Sequence, residues 1–477
     1  MRRCWVVAVV LAALVMLSCG VPPSGSGVRA RTQASTRRAD RASGGTSQER
    51  AGSLDPEQVD RTGSAPRTGP LDRATAPGWL GEHLFGNGND WEPAVAADPG
   101  APYVYMLTTR YSGHGPLPCL RCDIPAIALK TSADGGVTFG PVSYMPVDVH
   151  GGQYDPQIAS DAAGDVFAVW INGNFRDVFS TSTDHGVSWS DPVVISRPGG
   201  WADHPWLGVS PSGQHIYVAF NHAADWIAQS HDGGQTWLPA VQVGTVHRYH
   251  FANGTIVKDD GSVAISNMSY RLGSNDTGSI RLTITTSIDA GTSFAVHQVD
   301  TVAQQPNCTN RGCPHDHYGA QPALAIDATG RLLVAYDGAL RPLGAQYIWT
   351  RTSQDWGVSW TGRKRISPRG RSIIASFTAA VGGAAGDFRV AWQDDRNGYR
   401  RWNTFVRASA DGGLTWRLEV DVSDAAGGRG YKHPRGYDAD YGDYMQVAIT
   451  SAGKTFAVWG EAFSYFGPGG TWYNVQT

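Results

Sequence analysis

From about residue 90 onward the chain repeats one pattern of apolar and polar positions. A short apolar run follows a proline or an aromatic residue, a glycine turn interrupts it, and a second apolar run closes on an aromatic. DPQIASDAAGDVFAVW (155–170), HPWLGVSPSGQHIYVAF (204–220), QPALAIDATGRLLVAY (321–336) and DYMQVAITSAGKTFAVW (443–459) show it. Runs this short, rich in β-branched residues and bounded by turn residues, predict β-hairpins with buried strands. Hairpins begin near Glu92, Asp155, His204, His250, Gln321, Ser376 and Asp443. Each continues into a third strand, a turn and a fourth strand. No amphipathic helix of useful length is evident.

The turn after the third strand recurs as a nearly fixed string. TSADGGVTF (131–139), STSTDHGVSW (180–189), QSHDGGQTW (229–237), TSIDAGTSF (286–294), TSQDWGVSW (352–360) and ASADGGLTW (408–416) are six copies of S-x-D-x-G-x-[ST]-[WF]. Their aspartates are Asp134, Asp184, Asp232, Asp289, Asp355 and Asp411, spaced by 48 to 66 residues. A motif at such a period marks an array of similar supersecondary units. An Asp side chain accepts bonds from backbone N–H groups just downstream and so closes a tight loop. The glycine two places on takes positive φ without a Cβ clash. The aromatic then turns inward between units. These aspartates are read as structural, not catalytic.

The string resembles the Asp-box, or bacterial neuraminidase, repeat of sialidases and related β-propellers. The copies run from 132 to 416, and the surrounding repeats from about 90 to 477. The resemblance implies an all-β fold: a single β-propeller of four-stranded antiparallel blades. It is specific for a blade and much less so for an activity. The hairpin count favours seven blades. Six is the alternative, if the hairpin near 250–266 or 376–392 is irregular, and sialidases of the resembled family have six. The seventh hairpin ends in GGTWYNVQT, with room for one more strand. A fourth strand from residues 80–90 would join the two ends of the body and remove open sheet edges.

The N-terminus changes this picture only by adding to it. Two arginines precede an apolar stretch, Trp5 to Leu17, which is short for a membrane span and reads as an export signal (1–19). Its ending MLSCG resembles a lipobox, with Cys19 as the lipidated residue. Residues 20–79 are rich in Ser, Gly, Thr, Pro, Ala and Arg and read as a disordered tether. The body is then 80–477. The expected setting is extracytoplasmic, membrane-anchored through lipid or secreted, as a monomer facing a glycan or cell-surface ligand. A net charge of −3 argues against a nucleic-acid partner. In an exported chain the close pairs Cys119–Cys122 and Cys308–Cys313 are read as loop disulfides, with cross-pairing open and a zinc site the lesser alternative. No cofactor is expected. Calcium at DADYGDY (438–444) or CPHDH (313–317) lacks a recognised ligand spacing.

In a propeller, the start of each innermost strand and the loop after each second strand meet at one end of the channel. The first position gives Glu92, Asp155, His204, His250, Gln321, Ser376 and Asp443. Four of these precede proline, which is expected to hold them extended. The second gives Arg110, Asn172, Asn221 with His222, Asn267, Asp337, Asp394-Asp395-Arg396 and Glu461, with Asp203, Arg248, Tyr249, Tyr270, Asp440, Tyr441 and Tyr444 just outside. Sialidases grip the substrate carboxylate with three arginines, attack with a tyrosine activated by a glutamate, and use an aspartate as acid/base. Guanidinium groups suit a carboxylate bidentately, and a tyrosine hydroxyl needs a neighbouring base. From residue 80 on, the only glutamates are Glu82, Glu92, Glu419 and Glu461. The resemblance therefore implies Tyr441, Tyr444, Glu461, Glu92 and Asp155 as catalytic residues. It implies Arg110, Arg248, Arg396, Asp203, His204, His250 and Asp395 as substrate-binding ones. The family's F/Y-R-I-P motif before the first Asp-box is absent, which weighs against sialic acid itself. The expected activity is an exo-glycosidase acting on terminal, anionic sugars. The alternative is a non-catalytic glycan- or protein-binding propeller, with Trp201, Trp206, Trp226 and Tyr249 as stacking rings.

Overall fold

The computed structural model describes residues 76–477, apart from 87, 114–123, 198–200, 246–247, 272–277, 304–319, 343, 370–374, 395, 397–402, 424–431, 434–435, 438–443 and 463–468. The expected export signal with Cys19, most of the expected tether, all four body cysteines, Tyr441, Asp395, the CPHDH string and all of the DADYGDY string but Tyr444 lie outside the described residues.

Seven four-stranded antiparallel sheets form a β-propeller, and no helix occurs among the described residues. The innermost strands of blades I to VII are 88–97, 154–160, 203–209, 248–257, 323–326, 375–382 and 445–449. Each begins within a few residues of the start expected from the hairpin pattern. In blades I to VI the strands pair in chain order, from the innermost outward. Blade VII takes its outermost strand from the other end of the body: His83 pairs with Tyr473 and Leu84 with Trp472. The expected closure and the seven-blade count both hold.

The closing segment begins earlier than the sequence suggested. Trp79 is buried, bridges to Gln476 and packs in the core between blades VI and VII, with Ala76 beside it. The expected boundary at 80 cuts this contact, because a lone tryptophan after a polar tract gives no periodic signal.

The hydrophobic core is divided among the blade interfaces. Alternate residues of a strand face opposite neighbours. Val166, Ala168 and Trp170 pack towards blade I, while Phe167 and Val169 pack towards blade III. The same division gives one buried cluster at every interface around the ring, including VII against I. No blade buries both faces alone, so the ring is stabilised as a unit.

The six repeated turns adopt one geometry. In the first, Asp134 Oδ1 accepts the Thr138 N–H at 2.8 Å and Oδ2 accepts its hydroxyl at 2.6 Å, while Ser132 Oγ accepts the Gly136 N–H at 2.9 Å. The last repeats it: Asp411 takes the Thr415 N–H at 2.8 Å and hydroxyl at 2.5 Å, and Gly413 donates to Ser409 at 2.9 Å. The glycine has a second duty. Gly234 sits at φ +84°, and a Cβ there would lie 2.4 Å from the Phe179 ring of the preceding blade. The closing aromatic packs the same way, with Trp237 edge-on to Phe179 at 4.9 Å.

Candidate functional site

At the opposite end from these turns, the pre-proline residues depart from expectation. Glu92, Asp155 and His204 are not extended; they have φ of 57°, 52° and 54°. Each falls where the register between the first two strands slips, at Trp91/Ala94, Tyr154/Gln157 and Asp203/Trp206. The proline removes a ladder donor, and a β-bulge with a left-handed residue absorbs the interruption. A left-handed non-glycine residue stores backbone strain and re-aims its side chain.

In blades I and II that re-aiming brings two acids together. Glu92 is wholly buried, and Asp155 is 1% exposed. Glu92 Oε2 accepts the Asp155 N–H at 3.1 Å, which sets the two acids side by side. Burial pushes Glu92 above the usual carboxylate range, against hydrogen bonds from Thr109, Asp155 and Tyr111 that pull it down. The Tyr111 hydroxyl donates to Glu92 Oε1 at 3.0 Å. Tyr111 is half-buried, so a tyrosine backed by a glutamate and an aspartate reaches the surface here.

Tyr111 was not among the candidates, although its neighbour Arg110 was. The two alternate along one strand and face opposite ways. Arg110 turns into a buried bidentate pair with Asp90, at 2.7 and 3.0 Å. Arg396 is held by Asp394, at 2.7 and 2.5 Å, and by Glu419. Arg248 donates to Ser269 Oγ at 2.9 Å and to its carbonyl at 2.6 Å. The three arginines stand on blades I, VI and IV, each bonded within its own blade. A carboxylate grip would have to take them from these partners.

Other candidates resolve as packing or loop contacts. Tyr444 is buried, its ring 4.9 Å from that of His204. Blades VII and III are not neighbours, so this contact spans the channel and places Tyr444 as a plug, not an accessible nucleophile. His204 also meets Phe251 edge-on at 4.2 Å, and burial lowers its pKa to about 3, leaving it neutral. Glu461 accepts the Trp459 indole N–H at 3.1 Å, as Asp394 accepts that of Trp392 at 2.9 Å. Asp337 accepts the Ala320 and Gln321 N–H groups at 3.2 and 3.0 Å. Asp203 accepts the Tyr249 hydroxyl at 2.5 Å, with the buried Asp177 near enough for its charge to be felt. His250 is half-buried, and its burial followed by the Arg248 charge lowers its pKa to about 4. Below the plug, the seven inner strands line a cavity of about 460 Å³. Among the described residues no three metal-ligating side chains converge.

No known protein family and no curated relative matches the chain. Solved structures with a similar fold include the Hadza microbial sialidase Hz136, at 15% identity and TM-score 0.45 over 74% of this chain and 73% of that one. A polysaccharide lyase, the PL25 ulvan lyase, aligns at 10% identity and TM-score 0.48 over 83% and 95%. The NanB sialidase of Streptococcus pneumoniae aligns at 12% and 0.42 over 83% and 70%.

Proposed function

We propose that this is a carbohydrate-active propeller whose working site lies at the seam of blades I and II. Tyr111 is the group that meets the sugar, Glu92 is its base, and Asp155 holds Glu92 in place through its backbone N–H. The observation that carries the reading is the Tyr111–Glu92 bond over a buried carboxyl pair, at 3.0 Å. A phenol is a poor nucleophile until a base takes its proton, and Glu92 is within reach to do so. The arrangement has the tyrosine–glutamate logic of a sialidase but not its arginines, since Arg110 and Arg396 are neutralised by acids and Arg248 is tied to Ser269. The substrate is accordingly a neutral sugar, not the anionic one that the resemblance implies. The same reading keeps the chain exported, with Cys19 bearing lipid.

The test is turnover of a panel of fluorogenic neutral glycosides and sialosides by the full chain and by Tyr111→Phe. Hydrolysis of a neutral glycoside that Tyr111→Phe abolishes is the expected result. Hydrolysis only of sialosides, or an unaffected Tyr111→Phe, contradicts it. One observation favours a second reading: Glu92 and Asp155 are 0% and 1% exposed. A pair so deep also serves as a seam between blades, and the site would then bind glycan without turnover.

A further inference from the structure

Tyr111 begins a row of rings. Its ring lies 6.3 Å from Tyr154, Tyr154 stacks on Phe175 at 6.1 Å and 19°, and Phe175 meets Trp201 at 4.8 Å. All four are half-buried. They come from the second strand of blade I, the first strand of blade II, the turn after its second strand and the approach to blade III. The row therefore crosses two blade seams at the same end as the carboxyl pair.

The backbone under the row is closely packed. A Cβ on Gly173 would fall 2.4 Å from the His150 carbonyl oxygen, and one on Gly151 2.6 Å from Gly173. A Cβ on Gly152 would strike the Tyr154 ring at 2.5 to 2.7 Å. Asn172 Nδ2 donates to Asp148 across the same contact at 2.7 Å. Phe175 itself is left-handed, at φ 54°, which is strain spent on aiming one ring. Isolated surface rings carry no such support, and rings held in place by their supports are what a preorganised site needs.

From this geometry we infer that the row is a linear subsite for an extended, uncharged polysaccharide, leading into the Tyr111 site. The inference rests on the proposed carbohydrate function and adds the ligand's form: a chain, not a single terminal sugar. Pyranose rings present apolar C–H faces that lie on aromatic rings, and consecutive rings at these spacings serve consecutive sugars. Charge agrees at the Tyr111 end, where the neighbouring cation Arg110 is already paired with Asp90 at 2.7 Å.

Trp201 supplies the test. The full chain is titrated with disaccharides and hexasaccharides of β-1,4-glucan, β-1,4-xylan and β-1,3-glucan, followed by tryptophan fluorescence and calorimetry, with an alginate hexamer as the anionic control. For one neutral series the hexasaccharide is expected to bind at least about tenfold tighter than the disaccharide, or about 1.4 kcal/mol. Trp201→Ala should erase that gain without changing disaccharide affinity, and Trp201→Phe should restore most of it. Equal affinity at both lengths, a gain that survives Trp201→Ala, preference for alginate, or no binding in any neutral series overturns the inference. The two readings fail separately. Length-dependent binding with no turnover removes the hydrolase and leaves the row. Turnover lost in Tyr111→Phe but indifferent to chain length and to Trp201 removes the row and leaves the hydrolase.

Discussion

The two ends of the propeller are built from the same seven repeats and behave oppositely. At the turn end, Asp134, Asp184, Asp232, Asp289, Asp355 and Asp411 make the same bonds six times over. At the other end, the equivalent positions Glu92, Asp155 and His204 share a backbone conformation and little else. Glu92 and Asp155 pair with each other, whereas His204 packs on Tyr444 across the channel. Repetition marks what every blade needs in order to pack on the one before it. Divergence on a shared backbone marks where one sector was free to specialise.

That contrast can be broken in several ways. The largest effect is expected from removing the closing segment. A chain beginning after Leu84 loses Trp79, His83 and Leu84, exposing the edge of the third strand of blade VII. It should lose cooperative thermal unfolding or aggregate, which scanning calorimetry and size-exclusion chromatography would show. A monomer with an unchanged melting temperature would refute ring closure.

Next is Gly234→Ala. The new Cβ meets both positive φ and the Phe179 ring, so a cost of about 2–4 kcal/mol is expected in urea unfolding. Gly330→Ala tests the φ contribution alone, since nothing lies within 4 Å of its Cβ at φ +84°. It should cost less.

A smaller effect concerns pH, and blade III carries two opposed groups. Burial lowers His204 to about 3, below its ordinary 6.5. The unfolded chain binds that proton first, so this contribution is lost as pH falls from 6.5 towards 3. Burial raises Asp225 from 3.8 to about 7. There the folded state holds the proton, and stability is lost as pH rises from about 4 to 7. Each slope is at most about 1.4 kcal/mol per pH unit, and the two largely cancel. Asp225→Asn should therefore leave stability that rises with pH across this window. Substituting His204 by Phe should leave stability that falls. Identical pH profiles for both variants would show that neither group is buried as described.

The sequence carried the repeating parts of this molecule and hid the rest. Hairpin spacing gave the blades because each is a local unit with its own periodicity. The Asp turns were legible because their bonds join residues four apart. The Tyr111–Glu92 bond was not, since it depends on a bulge at Trp91/Ala94 that shifts one strand against the next. Arg110 lies within its strand and Arg396 just past the end of one, and nothing in the chain near Arg396 announces that Glu419, in the same blade, will bind it. Pairing across strands is long-range information, and both errors at the site lie there.

The central claim is that one end builds the ring and the other works. The most direct measurement sets Tyr111→Phe beside Asp411→Ala, with melting temperature and glycan turnover or binding read on both. Tyr111→Phe should keep its melting temperature within a degree or so and lose function. Asp411→Ala, which removes the acceptor of the Thr415 N–H and hydroxyl, should melt a few degrees lower and keep function. Loss of function in a fully folded Asp411→Ala protein, with Tyr111→Phe unimpaired, would contradict the account.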